Sequence, residues 1–443
     1  MQKKTTTRRH LIQGALLGAG ALGLRSLATG LPSSFLSTGS MAHASEPGEH
    51  DYIILSHAGS GDPLNAGAPG TYVDGVEHNP SPLLAATDCV LGNTTVQAAK
   101  PWSELSADLR ERMTFIHHRT YTNAHPEMPK VLAGHGAVTA IESNTGEMLP
   151  SALSSFLGDA LGTIQKEPIT IGNTRLTYEG RPLDLMDPKE LKSLFNDPES
   201  LEGSLRALRD AELDRIYSGL RESGTAAQKA FLDRFALGRE QARQIGADLG
   251  ALLERVPLDE DDQNGGRDQV LTAVALLKLN IAPVVSVYIP FGGDNHGDSD
   301  LSIEATETVS GVATIQFLWD ELKAAGLHNR TTFASMNVFG RTLLRNSSGG
   351  RNHNGDHHAM CLFGPRVKGG VIGGIERSKK DFQATPIDSS SGAALPDGDI
   401  APEESLESAM RTLGAAAGMG TDMLDSSISG GKQIEAALVA ART

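Results

Sequence analysis

The chain contains five short apolar runs, which are separated by polar loops or by segments with helical spacing. Each run is rich in β-branched or aromatic residues; they are DYIIL (51–55), MTFIH (113–117), APVVSVYI (282–289), TTFASM (331–336) and AMCLF (359–363). Continuous apolar runs are typical of parallel strands that are buried on both faces. The pattern therefore predicts an α/β fold in which a mostly parallel sheet is flanked by helices.

Helical spacing marks several of the intervening segments. Apolar residues recur every three or four positions between 304 and 325, and Gly326 follows where a helix C-cap is expected. Residues 187–256 are charged, rich in Leu, Ala, Glu and Arg, and nearly free of strand formers, and a final helix is predicted over 403–416. We therefore expect a first part of the α/β domain at 45–186, a helical insertion at 187–262 and a second part at 263–443.

The first 44 residues have the pattern of an export signal. The pair Arg8-Arg9 precedes a Gly- and Ala-rich apolar stretch, and Ala42-His43-Ala44 supplies a cleavage site with small residues. The arginine pair favours a twin-arginine signal and a periplasmic or secreted protein. The apolar stretch is too short for a membrane span and is interrupted by Arg25, so no span is expected in the mature chain.

Net charge limits the classes of binding partner, and the cysteine count limits the kinds of metal site. The formal net charge is −15, and removal of five basic residues with the signal would make it −15 − 5 = −20. An acidic chain of this kind repels nucleic acid and anionic lipid, so neither is expected as a partner. With two cysteines, Cys89 and Cys361, a thiolate zinc site is excluded. Both stand in apolar surroundings, which favours buried free thiols, and a disulfide between them stays open.

Polar residues gather where the predicted strands end. Of 14 histidines, eight fall in these strand-end segments: His57, His117, His118, His125, His296, His353, His357 and His358. The carboxyl ends of parallel strands meet at one edge of a sheet, where ligands bind. Imidazole together with carboxylate is the ligand set that zinc, manganese and iron accept. The alternative is a set of ordinary polar turns, and the shared position of eight histidines favours a site for divalent metal ions, zinc or manganese.

The order of these loops resembles the domain-of-unknown-function 1501 (DUF1501) family, whose members are exported and distantly related to alkaline phosphatases and sulfatases. The matching pieces are HAGSGDPLNAG, AHPEM, FGGDNHGD, NVFGRT, GGRNHN with FGPRVKGGVIGG, and SAMRTLGAAAGMGTDML. The resemblance spans most of the mature chain. It implies an alkaline-phosphatase-like fold with metal ions under a phosphate or sulfate ester.

Carried over position by position, the resemblance implies roles for individual residues. The implied metal ligands are Asp62, Asp294, His296 and His353. Thr122 would be the nucleophile, while His125 and Arg341 would lie near the anionic group of a small ester substrate or ligand.

The chain departs from the family pattern at two positions. Val338 replaces the glutamate of one motif and Asn352 replaces the aspartate of another, which removes two carboxylates. Asp356 and His357 stand close enough in sequence to compensate as ligands; otherwise the chain would bind one ion rather than two, or none. The preferred hypothesis is a metal-dependent hydrolase of phosphate esters, with sulfate esters less favoured because no Cys-x-Pro-x-Arg signature is present. A catalytically silent anion- or partner-binding protein and an envelope assembly component are the alternatives.

Overall fold

The computed structural model describes residues 49–139, 146–196 and 265–439, together with isolated residues between 208 and 254. The predicted signal at 1–44 lies outside the described residues, and so does most of the predicted insertion. A helix at Pro188–Asn196 begins where the insertion was expected to start. In the described part of the chain, no helix combines the length and the apolar character that crossing a lipid bilayer requires.

The described strands comprise one large sheet and four two-stranded ribbons. In chain order they are β1 (Tyr52–Ala58), β2 (Ala86–Leu91), β3 (Thr94–Ala99), β4 (Met113–His118), β5 (Ile169–Thr170), β6 (Thr177–Tyr178), β7 (Arg181–Pro182), β8 (Val284–Val287), β9 (Thr331–Asn337), β10 (Gly340–Arg341), β11 (His353–Asn354), β12 (His358–Phe363), β13 (Gly370–Ile372), β14 (Ile375–Arg377) and β15 (Phe382–Ala384). The seven-stranded sheet has the order β13-β4-β12-β9-β1-β8-β5.

Helices cover the sheet on both faces. They are α1 (Leu64–Gly67), α2 (Lys100–Glu104), α3 (Ala107–Arg110), α4 (Met128–Leu132), α5 (Leu149–Leu161), α6 (Pro188–Asn196), α7 (Gly266–Lys278), α8 (Ser302–Ala324), α9 (Ser405–Ala416) and α10 (Thr421–Ser427). The helices predicted near 304–325 and 403–416 are thus present as α8 and α9. Gly326 has a φ of +74°, the left-handed conformation expected after a helix.

All five predicted strands are present, and the sheet is mostly parallel. β1 lies at its centre with every residue buried, and it pairs in parallel with β8 on one side and with β9 on the other. Burial on both faces explains why these strands are apolar throughout. The prediction of an α/β fold with a mostly parallel sheet flanked by helices is therefore confirmed.

The direction implied for AMCLF was wrong. β12 runs antiparallel to both of its neighbours, β4 and β9. Its apolar run reflects burial on both faces, which does not depend on direction. The connection from β9 to β12 contains the short ribbon β10–β11 and no helix, so it returns along the same edge instead of crossing over the sheet. The start of β12 consequently lies at the edge where β1, β4, β8 and β9 end.

Both cysteines are buried free thiols, Cys89 in β2 and Cys361 in β12, as the apolar surroundings of each indicated. Burial raises the pKa of the Cys89 thiol to about 11 and that of Cys361 further. Both therefore stay protonated near neutral pH, in keeping with a packing role.

Candidate metal centre

Four side chains from three separate loops converge at the carboxyl edge of the sheet. They are His125, Asp294, His296 and His353, and one ligand atom from each lies within 4.8 Å of all the others. His125 comes from the loop after β4, Asp294 and His296 from the loop after β8, and His353 from β11. We call these four residues the strand-end cluster.

The distances within the strand-end cluster are close to those of a coordination site. His125 Nε2 lies 3.3 Å from Asp294 Oδ2, and His296 Nε2 lies 3.4 Å from Asp294 Oδ1. Ligand atoms about 2.1 Å from a tetrahedral zinc ion are about 3.4 Å apart. His296 Nε2 and His353 Nε2 are closer, at 2.7 Å, the distance of a hydrogen bond between the two rings. A small outward movement of the His296 or the His353 ring would lengthen this distance to about 3.4 Å, the separation expected for two ligand atoms of one ion.

Two of the imidazoles are anchored so that the same nitrogen faces the cluster. His125 Nδ1 lies 2.7 Å from the carbonyl oxygen of Gly59, and His353 Nδ1 lies 2.5 Å from that of Asn123. A carbonyl only accepts, so each Nδ1 carries the proton and each Nε2 presents a lone pair. Metal-ligating histidines are held in this way in metalloproteins. Burial also lowers the pKa of His353, which favours its neutral, ligating form.

The ring of Phe339 packs against two histidines of the strand-end cluster. Phe339 stacks on His353 with ring centroids 4.1 Å apart and meets His125 edge-on at 5.0 Å. The loop after β1 packs directly against the same ring, because a Cβ added to Gly61 would lie 2.1 Å from Phe339 Cε2. Glycine is required there, and the contact fixes the loop beside the cluster.

Asp294 is oriented by a buried arginine. Arg341 Nη2 donates to Asp294 Oδ1 at 2.9 Å and to the carbonyl of Ser60 at 2.7 Å, while Nε donates to the carbonyl of Gly61. Burial of Asp294 opposes its ionisation, but Arg341 and the neighbouring histidines outweigh it and lower the pKa of Asp294. The carboxylate is therefore charged at neutral pH and available to a cation.

Residues 291–298, FGGDNHGD, divide their side chains between two tasks. Asp294 and His296 point to the strand-end cluster, whereas Asp298 caps helix α8 by accepting the backbone N–H groups of Ile303 and Glu304. The change of direction requires the glycines, because Gly292 and Gly293 have φ values of +122° and +52°. The segment is thus both a turn and a loop that carries two members of the strand-end cluster.

Asp62 lies beside the cluster and is enclosed by protein donors. Its Oδ1 accepts the N–H of Gly293 at 2.7 Å, the hydroxyl of Tyr288 at 3.1 Å and that of Ser60 at 3.2 Å. Oδ2 is buried without a partner among the described residues, and burial raises the pKa of Asp62 to about 6. Asp62 therefore holds the loop that carries Asp294 and is not one of the four converging residues.

Thr122 lies in a pocket next to the cluster. The pocket has a volume of about 460 Å³ and is lined by Arg119, Thr120, Tyr121, Thr122, Asn123, Gly355, Asp356 and Glu403. The Thr122 hydroxyl donates to Glu127 and accepts the N–H of Ala124 at 3.0 Å. The pocket and the cluster share a segment, because the carbonyl of Asn123 is the one that anchors His353.

The two proposed compensating ligands lie elsewhere. Asp356 is exposed and accepts from Arg119 at 2.6 Å on the wall of the pocket. His357 is fully buried, with Nε2 2.9 Å from His117 and Nδ1 3.2 Å from the Asn65 amide, so both ring nitrogens are engaged by protein. The sequence signal that placed both residues near the site was their spacing after His353, which does not report the direction of a side chain.

The two positions that depart from the family pattern, Val338 and Asn352, lie in different surroundings. Val338 is buried in the main hydrophobic core, and its N–H donates to the carbonyl of Ala58 at 3.1 Å. Asn352 accepts from the Asn346 amide at 3.3 Å on the protein surface. Among the described residues, no second group of three or more potential ligands is found beside the strand-end cluster.

Several residues that support the site were not singled out in the sequence. Phe339, Asn65, Arg351 and Glu304 each contact a segment that carries a member of the cluster. Their common property is burial of a polar or aromatic side chain beside the strand-end loops, which becomes visible once these segments are placed on the sheet.

Comparison with known proteins supports the resemblance drawn from the motifs. No curated protein matches the chain. A solved structure described as "Structure of PH0037 protein from Pyrococcus horikoshii" is similar to 75% of this chain and 89% of its own, with 13% identity and a TM-score of 0.28, too low to bear on function. A family described as "Protein of unknown function (DUF1501)" matches residues 220–389. This match supports the DUF1501 family over the residues that include Asp294, His296 and His353.

Proposed function

We propose that the protein is an exported metal-dependent hydrolase of phosphate esters, with sulfate esters as a less favoured substrate class, and that the strand-end cluster holds one divalent transition-metal ion. The observation that carries the proposal is the shared anchoring of His125 and His353. Each donates its Nδ1–H to a backbone carbonyl, while His125 Nε2 lies 3.3 Å from the carboxylate of Asp294 and His353 Nε2 lies 2.7 Å from His296 Nε2.

The donor set fits zinc or manganese better than calcium or magnesium. Three imidazoles and one carboxylate suit borderline metals, whereas hard cations prefer oxygen ligands throughout. The side chains of His125, Asp294 and His296 are 35%, 49% and 41% exposed, so an ion held by them would face solvent on one side. An open side is typical of catalytic rather than structural sites.

A bound ion would supply Lewis acidity for a phosphoryl oxygen, and the chain supplies the neighbouring groups. The hydroxyl of Thr122 faces a carboxylate of Glu127 that can accept its proton. Lys130, with a contribution from Thr122, lowers the pKa of Glu127, so this carboxylate is ionised at neutral pH. Arg341 contributes by orienting Asp294, since its guanidinium is buried against that carboxylate and two carbonyls. Its Nη1 has no partner among the described residues.

A second candidate function is a catalytically silent binding protein on the same scaffold. The burial of Val338 in the core and the position of Asn352 at the surface favour it. They leave one group of four ligands where hydrolysis by two metal ions would need two groups. Turnover of phosphate esters separates the two candidates, because both predict a bound metal ion.

The test is elemental analysis of the purified mature protein, followed by a screen of phosphate and sulfate esters. We expect about one equivalent of zinc or manganese in the native protein and none in an Asp294→Ala, His296→Ala double variant. Asp356→Asn is the matched control, because Asp356 is a nearby carboxylate that lies outside the cluster. A folded native protein that takes up no metal would overturn the hydrolase proposal.

Export is tested separately. Residues 8 and 9 form the arginine pair on which the twin-arginine prediction rests. Replacing both by lysine should leave an uncleaved precursor in the cytoplasm, and normal export of that variant would contradict the twin-arginine route.

A further inference from the structure

A continuous chain of buried hydrogen bonds leads from a pair of histidines to the strand-end cluster. It starts at the carbonyl of Pro69, which lies 3.0 Å from His117 Nε2. His117 Nδ1 lies 2.9 Å from His357 Nε2, and His357 Nδ1 lies 3.2 Å from Asn65 Nδ2. Asn65, His117 and His357 are each 0% exposed, so solvent does not compete for these bonds.

The polarity of this chain is determined at its first bond. The carbonyl of Pro69 only accepts, so His117 Nε2 must carry the proton. Burial lowers the pKa of His117 and of His357, so both rings are neutral and each has one donor and one acceptor. His117 Nδ1 therefore accepts from His357 Nε2, and His357 Nδ1 accepts from the NH₂ group of Asn65.

The same amide clamps the backbone of Arg341. Asn65 Nδ2 donates to the Arg341 carbonyl at 2.8 Å, and the Arg341 N–H donates to Asn65 Oδ1 at 2.9 Å. One orientation of the amide satisfies all three bonds, and the histidine pair reinforces it by accepting the second N–H of the Asn65 NH₂ group. The fit is tight, because a Cβ added to Gly340 would lie 2.1 Å from the His357 carbonyl and 3.0 Å from Asn65 Cγ.

We propose that Asn65 is a positioning residue for the metal site, acting through Arg341 to hold Asp294, with its amide locked by the His117–His357 pair. This inference rests on the proposed metal centre. It assigns the buried histidines a role that requires no metal of their own: His357 accepts the second N–H of the amide and so holds Asn65 in the orientation that bonds both backbone groups of Arg341. Arg341 in turn donates to Asp294 at 2.9 Å.

The test compares zinc affinity with stability in matched variants. Asn65→Leu removes all three bonds while keeping the number and branching of the side-chain heavy atoms, and Asn65→Ser is a smaller second variant in case the first does not fold. Thr71→Val is the control, because Thr71 is equally buried and its hydroxyl bonds the Ala68 carbonyl at 2.7 Å, outside the chain that leads to Arg341. Affinity for Zn²⁺ is measured by chelator competition, and Tm is measured on the metal-free proteins.

We expect Asn65→Leu and Asn65→Ser to bind Zn²⁺ roughly 10-fold or more weakly, since groups that orient metal ligands typically contribute about 10–100-fold in affinity. Thr71→Val should bind Zn²⁺ as the native protein does, even where its Tm falls. Equal affinity in the Asn65 variants and the control would overturn the inference while leaving the metal centre intact. A native protein that binds no Zn²⁺ or Mn²⁺ would overturn both.

Discussion

Arg351 and Glu304 form a bidentate ion pair in the interior of the protein. Arg351 Nε lies 2.7 Å from Glu304 Oε2 and Nη2 lies 3.1 Å from Oε1, with side chains 0% and 2% exposed. The pair joins two of the segments that carry the strand-end cluster. Arg351 stands two residues before His353, and Glu304 also accepts from the amide of Asn295, the neighbour of His296, at 2.9 Å. This contact therefore helps to bring two histidines from distant parts of the chain together.

Breaking this pair should destabilise the protein strongly. Arg351→Met leaves the Glu304 carboxylate buried without its cation, and loss of one partner of a buried pair costs about 3–5 kcal/mol. Urea unfolding measures the change in the free energy of unfolding. Arg119→Met is the control: its pairs with Asp356 and Glu403 are largely exposed and are worth about 0–1 kcal/mol. Equal losses in the two variants would contradict this account of the buried pair.

A single methyl group should separate the two loops. A Cβ added to Gly350 would lie 2.3 Å from the Asn295 carbonyl oxygen and 2.4 Å from that of His296, so Gly350→Ala forces the backbones apart. We expect Gly350→Ala to lower zinc affinity at least 10-fold. Gly297→Ala in the same region meets nothing within 4 Å and should bind zinc normally. The prediction fails if both variants retain native affinity in the same chelator competition.

The hydroxyl of Thr122 should be essential for ester hydrolysis. If Thr122 is the nucleophile, Thr122→Ala lowers kcat on the order of 10³-fold or more without loss of bound metal. Ser60→Ala is the comparison, because Ser60 carries another hydroxyl beside the cluster and bonds Asp62 at 3.2 Å. Steady-state kinetics and metal content are measured on both. An active Thr122→Ala enzyme together with an inactive Ser60→Ala enzyme would reassign the nucleophile.

Acid should destabilise the metal-free protein between about pH 6.5 and 4. Five of the described histidines are buried, and burial lowers the pKa of each, to about 4 for His57, His117 and His118 and well below its usual value for His357 and His358. The unfolded chain binds these protons from pH 6.5 downward and the folded chain does not. Stability contributed by the neutral rings is therefore complete above pH 6.5 and falls as the pH drops, by about 1.4 kcal/mol per pH unit for each histidine.

Buried carboxyls work in the opposite direction. Burial raises the pKa of Asp51 and of Asp62 to about 6 and that of Glu407 to about 7, so the folded state holds protons that the unfolded state releases above its own pKa values near 3.8 and 4.5. They offset part of the histidine effect but not all of it. His358→Phe isolates one ring, since neither of its nitrogens has a partner among the described residues. The free energy of unfolding is measured in urea at pH 7.5 and 5.0, with chelator present. Its pH dependence should show that unfolding of this variant takes up about one proton fewer than unfolding of the native protein. An unchanged pH dependence would contradict the prediction.

The edge of the sheet at which the site lies could be predicted from the sequence, but its exact membership could not. Alternation of apolar runs and polar loops places His125, Asp294, His296 and His353 at strand ends, and the sheet then brings those ends together. The direction of a loop side chain depends on backbone turns such as the positive φ values of Gly292 and Gly293, which spacing does not encode. His357 turns into the core although it is four residues from His353, because it immediately precedes β12 and pairs with His117.

The same limit applies to β12, the strand that follows His353. An apolar run such as AMCLF records burial on two faces and is silent about direction, so β12 could be located but not oriented. Asn65 and Arg351 illustrate the remaining gap. Asn65 bonds Arg341, 276 positions away, and Arg351 bonds Glu304 and the carbonyl of Glu77, which are 47 and 274 positions away.

Because β12 runs antiparallel to β9, the segment between these two strands begins and ends at one edge of the sheet. It leaves the sheet at Asn337 and re-enters it at His358 on the adjacent strand, so both of its attachment points lie side by side at the same edge. Within this one excursion the chain carries Phe339, Arg341, Arg351 and His353. A change in the length or sequence of the segment would therefore alter the side chains in and around the strand-end cluster without changing the strand order of the sheet.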